Sequence, residues 1–191
     1  VEFEVYEGET FGIAGESGCG KSTLLRTVLR LIEPTKGTIV YDGTDITHIG
    51  KKQLRQIRRH MQIVFQDPYS ALDGRMKVGK IIEEPMIISK LYPDKATRMA
   101  HVVELMQQVG LDPSYIDRYP HEFSGGMKRR TAILRAILAP SDFIIMDEPF
   151  TGLDAETKQR VIDLILKYTA GKLVLFSTHN EEDAQLLGAE I

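Results

Sequence analysis

The sequence predicts an α/β fold with three parts: a P-loop type core with a mostly parallel β-sheet, a small antiparallel β subdomain and an inserted α-helical subdomain. Two short apolar segments, Phe143–Asp147 and residues 172–177, alternate with helical patterns, as the buried strands of a parallel sheet do. A glycine-rich segment at residues 15–23 lies between an apolar strand and a helix. From residue 67 to residue 119, β-branched runs give way to methionine, proline and helix-forming residues, and this change indicates the inserted helical subdomain.

The N-terminal half is predicted to carry the antiparallel subdomain and the first strand of the core. Residues 1–6 alternate strictly between apolar and polar side chains, which predicts a strand with one buried face. Asp42 and Gly43 are a hairpin signal after a strand at residues 37–41. The other predicted elements of this half are a strand at residues 10–14, a helix at residues 22–31 that ends before Pro34, a helix at residues 51–60 and a strand at residues 61–65.

The C-terminal half is predicted to begin with helices and then to alternate helices with strands. A stripe of methionine and valine recurs at helical spacing before Gly110, and we interpret it as a packing face. Its members are Met99, Val102, Val103, Met106 and Val109. The later elements are a helix from a Ser124 cap to Leu138, the strand at Phe143–Asp147, a helix from an Asp154 cap to Gly171, the strand at residues 172–177 and a helix at residues 181–187.

Composition limits the class of protein. With 191 residues, 42% hydrophobic and 27% charged, the chain is expected to form one globular domain and not a disordered or fibrous protein. No apolar run approaches the ~20 residues that span a bilayer. A net charge of -3 argues against a main role in coating nucleic acid. We interpret the basic clusters at residues 51–59 and 128–130 as solvated faces, with ion pairs that support the core as the next alternative and nucleic-acid binding as the last. A single cysteine cannot form an internal disulfide, which favours a reducing cytoplasmic setting.

Residues 15–23 match the P-loop pattern that binds phosphates. The loop consists of Gly15, Glu16, Ser17, Gly18, Cys19, Gly20, Lys21, Ser22 and Thr23. Its glycines let backbone N–H groups turn toward a phosphate, Lys21 supplies charge to the β- and γ-phosphates, and Ser22 offers a hydroxyl to Mg²⁺. Thr23 is expected beside the α-phosphate, and Cys19 is interpreted as a tolerated small residue. The alternative is a glycine-rich turn without a ligand, which leaves the lysine and the two hydroxyl groups without a packing role.

Two carboxylates follow the apolar strand at Phe143–Asp147. In open α/β sheets, ligands bind at the carboxyl ends of such strands. Asp147 is predicted to accept a hydrogen bond from Mg²⁺-bound water, and Glu148 to orient or deprotonate the water that attacks the γ-phosphate. An acidic turn without a ligand is the alternative, and the P-loop earlier in the chain argues against it.

Four further segments refine this interpretation. Residues 123–127 read Phe-Ser-Gly-Gly-Met, residues 151–154 read Thr-Gly-Leu-Asp, and Gln66 and His179 each follow an apolar strand. In this order and spacing they resemble the signature motif, the D-loop, the Q-loop glutamine and the switch histidine of ATP-binding cassette (ABC) ATPases. The resemblance covers almost the whole chain and implies the fold of that family.

The resemblance implies a role for each of these segments. It implies a head-to-tail dimer in which the helix start at Ser124, Gly125 and Gly126 closes on the γ-phosphate held by the partner's P-loop, with Asp154 also contacting the partner. Gln66 would sense Mg²⁺ and the attacking water, and His179 would contact the γ-phosphate. The predicted catalytic residues are Glu148, His179 and Lys21, the predicted metal ligands are Ser22, Gln66 and Asp147, and the cofactors are ATP and Mg²⁺.

Within the family, the chain looks like the oligopeptide, dipeptide and nickel importer branch. A signature that ends in Met127 and the segment at residues 65–76, which reads Phe-Gln-Asp-Pro-Tyr-Ser-Ala-Leu-Asp-Gly-Arg-Met, carry this resemblance. It implies an ATPase subunit on the inner face of the cell membrane, in the cytoplasm. The implied partners are a second ABC ATPase chain, transmembrane permease subunits that dock at residues 67–91 and, indirectly, a substrate-binding protein.

Two other functions stay open at this point. One is a soluble ABC ATPase without a transport role, such as an accessory of carbon–phosphorus bond cleavage or a DNA-maintenance ATPase. The other is a cassette that binds nucleotide without hydrolysing it, against which the presence of Glu148 and His179 argues.

The resemblance also gives an expected organisation. Residues 1–191 are predicted to form a single ABC ATPase domain. Residues 1–66 and 131–191 would be its nucleotide-binding core, and residues 67–130 a helical insert that carries the signature motif. The cassette is expected to be trimmed at both ends, with the aromatic residue that stacks on adenine upstream of Val1.

Overall fold

The structure, a computed structural model, describes residues 1–67 and 72–189. The strands are β1 (Thr10–Ala14), β2 (Val40–Tyr41), β3 (Thr44–Asp45), β4 (Met61–Val64), β5 (Phe143–Asp147) and β6 (Leu173–Thr178). The α-helices are α1 (Lys21–Val28), α2 (Lys51–Ile57), α3 (Val78–Ile88), α4 (Lys95–Gln108), α5 (Gly125–Leu138), α6 (Ala155–Thr169) and α7 (Glu181–Leu186). Short 3₁₀ turns at Arg58–His60, Pro113–Asp117 and Pro120–Glu122 connect them.

The core is a parallel sheet in the strand order β1-β6-β5-β4. Ala14 is level with Thr178, Asp147 with Ser177, and Val64 with Met146. The carboxyl ends of all four strands therefore lie at one edge of the sheet. Strands β2 and β3 form a separate antiparallel hairpin, so the predicted fold class is confirmed.

The sheet is covered on both faces because successive side chains of a strand point to opposite sides. On one face, Phe143 and Ile145 of β5 pack with Leu25 of α1. On the other face, Ile144 and Met146 pack in the larger apolar cluster that includes residues of α5 and α6. Strand β5 is consequently buried along its whole length, which fixes the position of the acidic residues at its end.

The helical subdomain packs α3 against α4 and α5. Val102, Met106 and Val109 are fully buried, so the predicted packing role of the methionine and valine stripe is confirmed. Gly110, with φ at 68°, provides the left-handed residue at the end of α4. The predicted boundary at residue 130 falls inside α5, which is continuous from Gly125 to Leu138, and the division into core and insert stays a prediction.

Some predicted elements differ from the structure. Residues 1–6 are not a strand: they have no ladder partner and are mostly exposed, although Phe3 stacks on Phe11 with 5.4 Å between the ring centroids. Alternation of apolar and polar residues is not sufficient for a strand, because a strand also needs a neighbour that pairs its backbone groups. The strand predicted at residues 37–41 is reduced to Val40–Tyr41, and the N–H group of Ile39 donates to the side-chain Oγ1 of Thr47 at 2.7 Å and not to a strand backbone.

The first helix is also shorter than predicted, ending at Val28 and not near residue 31. Arg30 adopts a left-handed backbone with φ at 52°. Its guanidinium donates to the carbonyl oxygens of Ile46 and Ile49, at 2.9 Å each. The turn at Arg30 thus connects the end of α1 to the loop after β3. Because of this long-range contact, the helix ends several residues before Pro34. The hairpin predicted at Asp42 and Gly43 is confirmed, with φ values of 47° and 68°.

Among the helices of the described residues, none combines the length and the apolar character that crossing a membrane requires.

A buried ion-pair cluster joins α3 to α4. Glu83 is fully buried, and its carboxylate accepts hydrogen bonds from Lys80 Nζ at 2.5 Å and from Arg98 Nε at 3.0 Å. Burial opposes ionisation of Glu83, but the hydrogen bonds from Lys80 and Arg98 outweigh it and lower the pKa of the carboxyl below its ordinary value. The ionised form therefore stabilises the folded helical subdomain.

Because its folded pKa is lowered, Glu83 contributes stability that is present above its unfolded pKa of about 4.3 and lost as pH falls through the folded value. We expect the free energy of unfolding of Glu83→Gln to be lower than that of the wild type at about pH 7, and this difference to shrink below about pH 4. Urea unfolding at several pH values measures it. Glu84→Gln is the matched control, since Glu84 pairs with Arg135 at the surface, and its effect is expected to be much smaller. A difference for Glu83→Gln that does not vary with pH would contradict this role.

Candidate functional site

The glycine-rich loop leaves β1 and leads directly into α1. Gly18 and Gly20 have φ values of 83° and 102°, which side chains other than glycine rarely adopt. Residues 16–20 are exposed, whereas Lys21 is buried. The Lys21 ammonium donates to the carbonyl oxygens of Gly15 at 2.6 Å and Glu16 at 3.0 Å. The loop therefore exposes its backbone around a cation held at its base.

Asp147 connects the start of α1 to the end of the neighbouring strand β6. Its Oδ1 atom accepts hydrogen bonds from Ser22 Oγ at 2.9 Å and from Ser177 Oγ at 2.7 Å, and only 1% of the residue is exposed. The structure thus brings together Ser22 and Asp147, two of the predicted metal ligands. Gln66, the third, is exposed just after β4, and in the described part of the chain no hydrogen bond joins it to Ser22 or Asp147.

Oxygen atoms of this kind suit Mg²⁺, which prefers hard ligands and binds proteins through one or two carboxylates, several waters and phosphate oxygens. Within residues 1–67 and 72–189, no group of three or more His, Cys, Asp and Glu side chains could hold a metal ion. The hydroxyl group of Ser22 and the carboxylate of Asp147 are oxygen ligands of the kind that fits Mg²⁺.

Glu148 has an unusual backbone conformation. It lies in the left-handed region with φ at 51°, a geometry that costs roughly 1–3 kcal/mol for a residue with a side chain. Its N–H group donates to Ser177, with Oγ at 3.0 Å and the carbonyl oxygen at 3.2 Å. These hydrogen bonds to β6 therefore hold Glu148 in a turn that changes the direction of its side chain at the end of β5.

The Glu148 carboxylate lies between three polar groups from different segments. Its Oε2 atom is 2.6 Å from His179 Nδ1 and accepts a hydrogen bond from Thr151 Oγ1 at 3.2 Å, while Oε1 is 3.5 Å from Lys21 Nζ. Only 9% of the Glu148 side chain is exposed, compared with 56% of the His179 side chain. The predicted catalytic residues Glu148, His179 and Lys21 therefore form one constellation, with the histidine accessible to a ligand.

The segment before His179 is held by a buried network. Thr178 Oγ1 donates to Asp183 Oδ2 at 3.1 Å, and Asp183 Oδ1 accepts from Lys158 Nζ at 2.7 Å. Lys158 belongs to α6 and Asp183 to α7, so this network joins both helices to the end of β6. It fixes the strand end from which His179 extends.

Ser124 and Asp154 both act as helix caps, as predicted. Ser124 Oγ accepts from the N–H group of Met127 at 3.4 Å, and Asp154 Oδ1 accepts from that of Thr157 at 2.9 Å. The hydrogen bond from the Thr157 backbone lowers the pKa of Asp154, which stays ionised at the start of α6. Both caps lie at exposed positions.

Residues 124–126 are not joined to the P-loop by any hydrogen bond within the described part of the chain. Instead they lie beside the segment at residues 151–154, where a Cβ atom built on Gly126 would be 3.7 Å from the carbonyl oxygen of Gly152. One chain therefore presents two separate helix N-termini, at α1 and at α5, each with glycines and a hydroxyl group. Of the predicted importer motif at residues 65–76, residues 68–71 lie outside the described residues.

Sequence reasoning missed three residues of this site: Ser177, Thr151 and Arg129. Ser177 is a polar residue at the buried end of an apolar strand, a signal that could have identified it. The prediction that residues 128–130 form a solvated face is wrong, since Lys128 and Arg129 are 5% and 8% exposed. Arg129 donates to the carbonyl oxygens of Gln66 and Thr151, a contact that no local pattern encodes.

A parallel sheet whose first strand leads through a glycine-rich loop into a helix, with acidic residues ending a neighbouring strand, defines a P-loop nucleotide-binding protein. Residues 1–151 match the sequence profile of the ABC transporter family. The chain belongs to that family, as the motifs predicted.

Curated relatives cover nearly all of this chain. A putative oligopeptide transport ATP-binding protein, YkfD of Bacillus subtilis, is 45% identical over 182 residues, which are 94% of this chain and 55% of YkfD. The oligopeptide transport ATP-binding protein OppF of the same organism is 43% identical, over 94% of this chain and 60% of OppF. The chain therefore spans between half and two thirds of the length of these relatives.

Solved structures of the same fold are also similar. A dimeric post-hydrolysis state of the ATP-binding cassette MJ0796, bound to ADP and Pi, superposes with a TM-score of 0.82 and 29% identity, over 96% of this chain and 80% of that one. A second dimeric structure of MJ0796, described as a bacterial ABC transporter cassette, gives a TM-score of 0.81. The fold inferred from the sequence is thereby confirmed by known cassettes.

Proposed function

We propose that this chain is the ATP-binding and ATP-hydrolysing part of a membrane importer of peptides. The observation that carries the proposal is the position of Glu148, whose carboxylate contacts His179 and Thr151 and lies 3.5 Å from Lys21 at the base of the P-loop. The names of the relatives, which are oligopeptide transport ATP-binding proteins, support the importer role. They do not favour a soluble accessory enzyme.

In this proposal, residues 15–23 bind the phosphates of ATP. The exposed backbone at residues 16–20 surrounds the β-phosphate, and the Lys21 ammonium exchanges its bonds to the Gly15 and Glu16 carbonyl oxygens for phosphate oxygens. Ser22 and Asp147 would hold Mg²⁺, with Gln66 as a further ligand. When bound, this ion would neutralise charge on the β- and γ-phosphates.

Hydrolysis would proceed by attack of water on the γ-phosphorus atom, with cleavage of the bond to ADP. Glu148 is suited to accept the proton of that water, because its carboxylate is fixed by two hydrogen bonds and almost fully shielded from solvent. His179 supports Glu148 through Nδ1 and is exposed enough to contact the γ-phosphate. Both groups directly follow the buried ends of β5 and β6, which would keep their geometry in place before ATP binds.

The N-terminus of α5, at Ser124, Gly125 and Gly126, is proposed to be a second anion site that acts on the nucleotide of a partner chain. The separation of this site from the P-loop within one chain is consistent with that arrangement, as are the dimers of MJ0796. Asp154 would contact the partner beside it. Transmembrane permease subunits would dock at residues 67–91 on the inner face of the membrane, and a substrate-binding protein would deliver the peptide.

Co-purification of the full-length protein tests the importer role. We expect a tagged chain to capture membrane-embedded permease subunits from solubilised membranes, and its ATPase rate to change when they are present. The Glu148→Gln variant serves as a control, because it should capture the same subunits without turnover. Capture of soluble enzymes alone would contradict the importer role, whereas an absence of ATP hydrolysis by the wild type would contradict the proposed chemistry.

A further inference from the structure

Arg129 is a buried cation in helix α5 that connects two loops of the site. It lies in the second turn of α5 and is 8% exposed. Its Nη1 atom donates to the carbonyl oxygen of Thr151, and its Nη2 atom donates to that of Gln66 at 2.8 Å. The two acceptors are 22 and 63 residues away in the chain, so the contact exists only in the folded state.

One of the two loops that Arg129 joins contacts Glu148. Thr151 Oγ1 donates to Glu148 Oε2 at 3.2 Å, so the backbone that Arg129 fixes carries a side chain in contact with the proposed base. Gln66 lies in the loop that follows β4, the strand next to β5. One guanidinium thus sets the spacing between the loop after β4 and the loop after β5.

The charge of Arg129 is costly where it lies. Burial lowers the pKa of the guanidinium, and the negative charge of Glu148 partly compensates. In the described part of the chain, Nε is buried without a hydrogen-bond partner, and both hydrogen bonds from the other nitrogens end on neutral carbonyl oxygens. A buried charge without a contacting counterion normally destabilises a protein, so a role in the site gives a reason for its presence.

We propose that Arg129 is a positioning residue for Glu148: it ties the loops at Gln66 and Thr151 to helix α5 and so makes the placement of the base depend on the position of that helix. The inference rests on the proposed function. Helix α5 begins next to Ser124, about one helical turn before Arg129. A displacement of the anion site at Ser124 would therefore be transmitted through Arg129 to both loops.

Kinetics of Arg129→Met test the effect on the reaction. Methionine keeps the unbranched apolar stem of the side chain but lacks the guanidinium group and cannot donate hydrogen bonds. We expect kcat for ATP hydrolysis to fall about 10- to 100-fold, because small displacements of a catalytic group have effects of this size. The Kd for ATP should change less than about twofold, since the hydrogen bonds of Arg129 in the described structure end on Thr151 and Gln66 and not on residues 15–23. Arg129→Lys, which keeps the charge, should recover part of kcat.

Arg30→Met is the matched control. The Arg30 side chain is 8% exposed and donates to two backbone carbonyl oxygens, those of Ile46 and Ile49, which lie in the loop after β3, and it also pairs with Glu33 at 2.8 Å. A loss of stability similar to that of Arg129→Met, without the loss of kcat, is expected. Equal kcat values for the two variants would overturn the positioning role and leave Arg129 as a purely structural residue.

Amide hydrogen exchange of the nucleotide-free protein tests the same link without catalysis. In Arg129→Met, amides in residues 148–154 and 64–67 should exchange at least several-fold faster than in the wild type, whereas Arg30→Met should leave both segments unchanged. Unchanged exchange in Arg129→Met would overturn the inference. Faster exchange in a protein that hydrolyses no ATP would contradict the proposed function and leave the link between the loops intact.

Discussion

Replacement of Glu148 by Gln is expected to abolish ATP turnover while leaving ATP binding intact. Glutamine has nearly the same shape, and it can still accept hydrogen bonds from His179 and Thr151, but it cannot take a proton from water. General bases of this kind contribute about 10²- to 10⁴-fold to enzyme rates, so kcat should fall by at least about 100-fold. Steady-state phosphate release and equilibrium binding of ATP measure the two effects separately.

The same variant is expected to accumulate as a dimer with ATP, because the nucleotide that joins two chains is not consumed. Gel filtration with and without ATP detects this species. Glu182→Gln is the matched control, since Glu182 is an exposed carboxylate three residues after His179 and should leave turnover unchanged. Undiminished hydrolysis by Glu148→Gln would remove Glu148 from the catalytic role.

Replacement of Lys21 by Ala is expected to abolish tight ATP binding. In the structure the Lys21 side chain is 6% exposed, and its ammonium lies 3.5 Å from the Glu148 carboxylate. An ammonium about 4 Å from a charged phosphate oxygen gains roughly 4 kcal/mol at an effective dielectric constant of about 20. Loss of the lysine should therefore weaken ATP binding by about 100-fold or more. Isothermal titration with ATP gives the Kd directly.

Two observations separate loss of binding from loss of folding in Lys21→Ala. The thermal midpoint should fall, because the Gly15 and Glu16 carbonyl oxygens and the Glu148 carboxylate lose a cationic partner, but the circular dichroism of the folded state should persist. Lys36→Ala, a change at an exposed lysine outside the loop, should alter neither quantity. An ATP Kd within about twofold of the wild type would count against phosphate binding at this loop, since it corresponds to less than about 0.5 kcal/mol.

The predictable part of the site shares a physical origin. The P-loop depends on glycines that permit particular backbone angles, and the caps at Ser124 and Asp154 depend on a polar side chain within one helical turn. Such interactions join residues close in sequence, and a linear pattern records them. The acidic residues at the end of β5 were predictable because parallel strands place ligands at their carboxyl ends.

The predictions that were wrong concern residues whose structure depends on distant parts of the chain. Residues 1–6 have the pattern of a strand but no neighbour to pair with, and α1 ends early because Arg30 turns toward the loop after β3. The basic cluster at residues 128–130 looks like a solvated face, yet Arg129 is buried between two distant carbonyl oxygens. Each case depends on a contact between segments far apart in the chain.

The sequence by itself determined the family, the fold class and the chemical identity of the groups at the site, because motifs, periodicity and caps are local properties. Only the tertiary structure decided how those groups meet. The register of β5 beside β6 places Ser177 against Asp147 and Glu148. The packing of α1 on the sheet brings Ser22 within hydrogen-bond distance of Asp147. Burial of the sheet on both faces fixes these distances, and no pattern along the chain specifies them.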